Sequence, residues 1–409
     1  MSKITKYALS DLYDMSSGLS SKKEQAGHGT PFVSFGTVFN NYFLPEELPD
    51  LMDTNEKEQQ IYSIKTGDVL ITRTSETIDE LAMSCVAVKD YPKATYSGFT
   101  KRLRPKREGI AYPKYMAFYF RSALFRKAVT NNAFMTLRAS FNEDIFTFLD
   151  VYLPDYDEQV RIGDMLYNIE CKIQKNKEIN DYLEEMAKTI YDYWFIQFDF
   201  PGENGKPYKS SGGKMSFCNE LNREIPQNWN YTSIGNITIC LDSERIPLSN
   251  QQREGMKGSI PYYGATGIMD YVNRPIFSGN FVLLAEDGSV MDDNGNPILQ
   301  RVSGDVWINN HTHVLQPVKG YSCRLLYLLL KDIPVSIIKT GSIQMKINQA
   351  NLNNYNILSI PDAIRTQFIN CVEPLDTKIM QIQQENNNLI QFRDWLLPML
   401  MNGQATIED

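Results

Sequence analysis

The sequence predicts an α+β chain built as a duplication: two β-rich domains, each followed by a long helix, with the helices pairing as an antiparallel coiled coil in a pseudo-twofold arrangement. Three observations predict it. A long heptad pattern occurs twice at a constant offset, the block before each copy is rich in short β-type runs, and a glycine-led apolar motif recurs in those blocks. The chain has 409 residues, enough for two or three domains.

The helices carry the clearest signal. Alternate steps of three and four from Leu166 give Leu166, Ile169, Ile173, Asn176, Asn180, Leu183, Ala187, Ile190 and Trp194. Adding 206 to each number gives Val372, Leu375, Ile379, Ile382, Asn386, Leu389, Arg393, Leu396 and Leu400. Both are mostly apolar a/d seams sustained for about four heptads, the pattern of a coiled coil. They are expected to face each other, with Leu183 and Leu389 buried and the core asparagines fixing register. Each helix follows an aliphatic-Pro-Asp opening, Leu153-Pro154-Asp155 and Ile360-Pro361-Asp362. Pro374 is expected to interrupt the second helix, because proline lacks the amide donor and crowds the preceding turn.

The blocks between repeat more loosely. Gly67-Asp68-Val69-Leu70-Ile71 matches Gly279-Asn280-Phe281-Val282-Leu283, and Arg104-Pro105 matches Gln316-Pro317, both at an offset of 212. Gly29-Thr30-Pro31-Phe32 resembles Ser259-Ile260-Pro261-Tyr262 at a different offset, so loops of unequal length decorate a common core. Short runs of Val, Ile, Tyr, Phe and Thr broken by Gly, Asn and Pro read as strands. Residues 201–224, rich in Gly, Ser and Lys, have linker composition. The expected order is a domain at 1–152, a helix at 153–200, a linker at 201–224, a domain at 225–359 and a helix at 360–409.

Composition narrows the class. Hydrophobic residues make up 42% of the chain, enough for real cores. No apolar run approaches the roughly 18–20 residues that span a bilayer; the densest, Leu325 to Leu330, reads as a buried helix. No apolar signal core follows the N-terminal Met1-Ser2-Lys3. The six cysteines are scattered without a C-x-x-C pair, which points to reduced thiols in a cytoplasm rather than a zinc site or disulfide framework. The net charge of −8 is concentrated: residues 151–200 hold 5 basic and 11 acidic side chains, and residues 360–409 hold 3 and 7. Residues 1–150 hold 19 and 18, and residues 201–359 hold 14 and 13, so the two β-rich blocks are near neutral and can carry local basic faces.

This arrangement resembles the specificity subunits of type I restriction-modification systems over nearly the whole chain. Gly67-Asp68-Val69-Leu70-Ile71-Thr72-Arg73 is similar to the family's central strand motif, and Ile225-Pro226-Gln227-Asn228-Trp229 to its opening of a recognition domain. Thr340-Gly341-Ser342-Ile343-Gln344, continuing to Ile360-Pro361, resembles its run into the helix. The first half lacks the Ile-Pro-x-x-Trp opening, and Ala285-Glu286-Asp287 stands where the second copy would hold the counterpart of Arg73. The resemblance implies two target recognition domains, each reading one half of a split double-stranded DNA target, and helices that dock two methyltransferase subunits. S-adenosylmethionine would act on those partners, and ATP and Mg on further restriction (motor-nuclease) subunits, with no cofactor in this chain and no membrane role.

The candidate DNA contacts follow. Residues 101–138 hold ten basic side chains against Glu108 alone, interleaved with Tyr112, Tyr115, Phe118, Tyr119 and Phe125. Phosphates require such charges, and arginine also reads guanine bidentately. Arg73, Lys101, Arg102, Arg104, Lys106, Arg107 and Arg138 are the first-domain candidates. In the second domain they are Asn310, His311, Lys339, Ser342, Gln344 and Lys346, polar residues that suit base edges and phosphates and equally suit turns. His311 and His313 are too few for a metal site. There is no G-x-x-x-x-G-K-[ST] loop and no Asn-Pro-Pro-Tyr or Asp-Pro-Pro-Tyr motif, so no catalytic residue is assigned. The alternative from another class is a self-contained DNA methyltransferase or nuclease with a tandem recognition region.

Overall fold

The computed structural model describes residues 4–75, 80–132, 139–341 and 345–407. The chain divides into two compact units, residues 1–175 with 386–409, and residues 176–385. Each takes one β-rich domain, part of the helix that follows it and part of the other long helix.

In the first unit an antiparallel sheet is formed by β1 (Tyr13–Ser17), β2 (Val69–Thr72), β3 (Ser84–Val86) and β4 (Thr100–Pro105), in the order β1-β4-β2-β3. The Gly67-Asp68 turn that launches β2 needs its glycine, whose φ is +87°. All four residues of β2 are buried, as a short apolar run covered on both faces should be. Val69 and Ile71 enter one core with Tyr115, Phe118 and Leu153, while Leu70 points into another with Val33, Cys85 and Tyr96.

The second unit repeats the plan with more strands: β5 (Thr238–Cys240), β6 (Lys257–Tyr263), β7 (Ile268–Val272), β8 (Phe277–Ala285), β9 (Leu299–Ile308) and β10 (Thr312–Pro317), ordered β5-β10-β8-β9-β6-β7. The order β1-β4-β2-β3 recurs as β5-β10-β8-β9. In β8 the alternation recurs too, with Val282 and Leu284 in one core and Phe281 and Leu283 in another. The Leu325–Leu330 run lies in a helix, Cys323–Lys331, with Leu325, Leu326, Leu328, Leu329 and Leu330 all buried.

The long helices are α1 (Tyr156–Tyr191) and, after Cys323–Lys331 (α2), α3 (Asp362–Met401). Asp155 caps α1 by accepting the Glu158 N–H at 2.9 Å. In the first unit Ile162 and Leu166 share a core with Leu397 and Leu400, Glu170 accepts from Arg393 at 2.7 Å, and the Ile173 carbonyl accepts from Asn386 Nδ2 at 3.3 Å. In the second unit Asn176 Nδ2 donates to Glu385 at 2.8 Å, and Trp194 stands edge-on to Phe368 at 5.6 Å. In both, partner numbers fall along α3 as they rise along α1, so the segments pair antiparallel.

Three expectations are corrected. Leu183 and Leu389 are half-buried rather than buried, as are Ile169, Ile190, Leu375, Leu396 and Asn180. A two-helix seam has no third layer to cover its flanks. The buried seam positions are Leu166, Ile173, Asn176 and Ala187 on α1, Trp194 just beyond its end, and Val372, Ile379, Ile382, Asn386 and Leu400 on α3. Pro374 does not interrupt α3, which is continuous across it; the proline is exposed, where water can satisfy the carbonyl it leaves without a donor. Residues 201–224 are folded rather than a free linker. Phe200 stacks between Tyr208 and Trp229, Asp199 binds Ser210, and Met215–Cys218 forms a hairpin with Arg223–Pro226.

Candidate nucleic-acid interface

In the first unit three segments meet just beyond β2. The Arg73 N–H donates to the Phe99 carbonyl at 2.8 Å, and the Arg73 carbonyl accepts from the Phe141 N–H at 2.7 Å. The Arg73 side chain is exposed. Lys101 on β4 is in register with Ile71, and its Nζ donates to Ser17 Oγ on β1 at 2.8 Å. Partial burial holds the Lys101 ammonium below the usual lysine value, and the nearby Arg73 charge lowers it further, against an opposing pull from Glu143. The fold thus brings Arg73 and Lys101 together as neighbouring cations.

Other members of the basic stretch serve the domain's interior. Arg102 is buried, stacks on Tyr96 and donates to the Ser63 carbonyl. Arg104 forms a two-point ion pair with Asp68, at 2.8 and 2.6 Å, and also donates to the Ser63 carbonyl. The expectation that Arg102 and Arg104 face DNA is therefore corrected: Arg102 is buried against Tyr96 and the Ser63 carbonyl, and Arg104 is held by Asp68 and the same carbonyl, so both guanidinium groups are engaged in the fold. Arg121 likewise donates to four backbone carbonyls, of Ser84, Val38, Phe39 and Asn41. Tyr115, Phe118, Tyr119 and Phe125 are core. Lys106 and Arg107 are exposed at the far end of β4, with Lys106 bound to the Ser10 carbonyl and 3.4 Å from Asp14. Arg138 lies outside the described residues.

The second unit builds the same junction from different side chains. The Glu286 N–H donates to the His311 carbonyl at 2.9 Å, and the Glu286 carbonyl accepts from the Ile347 N–H at 2.8 Å. These two bonds repeat those of Arg73, so Glu286 takes the place of Arg73, His311 that of Phe99, and His313 that of Lys101. Asp242, just after β5, stands where Ser17 ends β1, and His313 Nδ1 is 2.5 Å from Asp242 Oδ2. The counterpart of Arg73 is one residue beyond the place that the sequence offset of 212 indicates, because β8 is shifted by one against β10.

Charge here is internally balanced. His313 is buried with Nε2 3.0 Å from the Ile347 carbonyl, so both ring nitrogens face acceptors. Two donors are required, and the ring is the imidazolium. Burial opposes that charge, but Asp242, the Ile347 carbonyl and Glu286 outweigh it and raise the His313 pKa. Burial pushes Asp242 up, while His313, the Val314 N–H and Cys240 more than offset it and leave its pKa lowered. Glu286 is bound by Arg245 at 2.8 Å and Lys346 at 2.9 Å. Cys240, Asp242 and His313 place their donor atoms within 4.8 Å of one another, a grouping that sequence spacing does not reveal. With both imidazole nitrogens engaged and Arg245 3.5 Å from Asp242, the cluster closes on itself as a hydrogen-bonded network.

Among the other second-domain candidates, Asn310 and His311 are exposed beside this junction, and His311 Nδ1 contacts Asp287 at 2.6 Å. Lys339 is half-buried with its Nζ 3.4 Å from Met345 Sδ. Ser342 and Gln344 lie outside the described residues. Sequence reasoning missed Phe99, which is 65% exposed between the two cations; the Gly98-Phe99-Thr100-Lys101 run was its only trace. It also missed Asp242 and Arg245, which reach the junction through tertiary contacts.

Residues 1–185 and 226–391 match the family described as the type I restriction modification DNA specificity domain. The chain is 24% identical over 411 residues to the type I restriction enzyme MjaIX specificity subunit of Methanocaldococcus jannaschii, covering 95% of this chain and 89% of that one. A putative type I specificity subunit of Haemophilus influenzae, S.HindORF215P, is 32% identical over 139 residues, 34% of this chain and 35% of its own. The crystal structure of a type I system S subunit from M. genitalium shares the fold, with a TM-score of 0.56 at 15% identity over 98% of this chain and 96% of that one. Two matched domain copies, each ending in a long helix and each building the same strand junction, place the chain in the type I restriction-modification DNA specificity family.

Proposed function

We propose that each of the two domains reads one half of a bipartite double-stranded DNA target for a type I restriction-modification complex. The observation that carries this reading is the repeated junction. One backbone arrangement holds Arg73, Phe99 and Lys101 in the first unit and Glu286, His311 and the buried His313 in the second. A shared scaffold with divergent side chains suits two readers of different sequence, since base-edge contacts specify and backbone contacts position. Arg73, Lys101, Lys106 and Arg107 are the proposed first-domain contacts, and Asn310, His311, Lys339 and Lys346 those among the described residues of the second domain. The test replaces residues 1–152 with the equivalent of another family member and maps the methylated motif in cells that carry the partner subunits. One half-site should change; rewriting of both halves would count against independent reading.

In this reading the helices dock two methyltransferase subunits. Phe392 and Trp395 on α3 are 49% and 63% exposed and stack at 6.3 Å. On α1, Ile179, Tyr182 and Met186 are exposed at helical spacing. Aromatic and methionine side chains of this kind are enriched in protein interfaces. In this reading S-adenosylmethionine, ATP and Mg act on the methyltransferase and motor-nuclease partners, and this chain contributes recognition rather than turnover. The complex would work in the cytoplasm; among the described residues no helix is long and apolar enough to cross a membrane.

A further inference from the structure

The turn before β4 holds a large apolar ring in water. Phe99 is 65% exposed, yet its backbone is fixed on every side. Its carbonyl accepts from Arg73, and its N–H lies 3.2 Å from Ser97 Oγ. The Thr100 N–H and Oγ1 both bond the Ser97 carbonyl, at 2.9 and 2.7 Å, and the Gly98 N–H bonds Leu19 at 2.7 Å. A Cβ at Gly98 would fall 2.8 Å from the Leu19 carbonyl oxygen, so the approach demands glycine. The ring is therefore presented by a turn that has already given up its conformational freedom, which lowers the cost of a contact made there.

Its neighbours are cations. Lys101 follows two residues later, at the start of β4, and the backbone of Arg73 is hydrogen-bonded directly across from Phe99. An apolar ring between two positive side chains matches duplex DNA, with phosphates for the charges and a thymine methyl or an opened base step for the ring. In the second unit the same tip is His311, whose side chain is 52% exposed. Its N–H is held by Asn309 Oδ1 at 2.9 Å and its Nδ1 by Asp287, leaving Nε2 as the outward polar atom. The flanking position there is Glu286, neutralised by Arg245 and Lys346.

We propose that this turn tip is a specificity-determining contact in both domains, with Phe99 reading its half-site through an apolar contact and His311 reading the other through a hydrogen bond accepted at Nε2, since Nδ1 gives its proton to Asp287. The assignment rests on the reading of the two domains as half-site readers, and names the residue within each. Sequence differences at one rigid tip would then change the bases preferred without disturbing the core.

The experiment uses the full chain assembled with its methyltransferase partners. The methylated motif is mapped for the wild type, Phe99→Ala, Phe99→His and His311→Ala, and affinity is measured on a duplex carrying the wild-type motif. Phe99→Ala should weaken binding by about tenfold or more, the cost of one lost base contact, and relax one or two adjacent positions in a single half-site. His311→Ala should do the same in the other half, and Phe99→His should alter the base preference. Thermal midpoints should not move, since both side chains are exposed. A variant motif and affinity equal to wild type would overturn the assignment, as would a uniform loss of affinity with the motif intact, or failure of Phe99→Ala to assemble with the partners. If the wild-type complex itself methylates no two-part motif, the half-site reading has failed, an outcome separate from failure at the tip.

Discussion

Arg324 Nε donates to Asp376 Oδ1 at 2.8 Å, and both side chains are almost completely buried. Asp376 also receives Arg301 at 2.9 Å, while Arg324 Nη1 reaches Glu184 at 2.6 Å. Within the second unit this network joins β9, α2, α3 and the part of α1 that belongs to it. Asp376→Ala should cost about 3–5 kcal/mol, because it leaves two buried guanidinium groups without their shared carboxylate. Denaturant unfolding of the full chain measures it; a loss below about 1 kcal/mol would show that the network is replaceable.

His313 makes the second unit sensitive to pH. Its folded-state pKa is raised above the ordinary value near 6.5. The stabilisation is therefore complete below that ordinary value and is lost as pH rises through the higher folded-state value. Above it one ring nitrogen has no proton to give, and either Asp242 or the Ile347 carbonyl loses its donor. Thermal midpoints should fall as pH rises above the ordinary histidine value, and amide exchange at Ile347 should quicken. His313→Gln should flatten the profile. An unchanged slope in that variant would contradict the assignment.

The two kinds of arginine in the first domain should separate cleanly. Arg73→Glu should weaken binding to any duplex and reduce the salt dependence by about one charge, without changing the thermal midpoint. Arg104→Ala should instead destabilise the domain by about 2–3 kcal/mol, since it removes the ion-pair partner of a buried Asp68. Salt titrations of DNA affinity, run beside melting curves, distinguish the two. Equal salt slopes for Arg73→Glu and wild type would remove Arg73 from the interface.

Trp395→Asp, with Phe392→Asp, should abolish assembly with methyltransferase subunits while leaving the fold intact. Both rings are exposed and stack on each other, so their loss removes partner contacts rather than core. Co-purification with the partners reads the effect. Normal assembly by the double variant would exclude this part of α3 as a docking surface.

The sequence by itself determined the duplication, the α+β class and the antiparallel helix pairing. Each rests on sequence pattern: heptads place Leu166 and Ile173 on one face of the first helix and Val372 and Ile379 on one face of the second, and short apolar runs set off by glycine, such as Val69–Thr72, read as strands. It also placed Arg73 and His311 among the candidates by composition and motif. Tertiary structure alone decided which charges were free. Arg102, Arg104 and Lys101 are neighbours in one strand and look alike in sequence, yet Asp68 and the Ser63 carbonyl claim two of them and leave the third beside Arg73. The same holds for the one-residue shift that puts Glu286 rather than Ala285 in the place of Arg73. Pairing of a buried charge depends on groups tens of residues away, and strand register depends on which backbone donors meet; neither is encoded in local spacing.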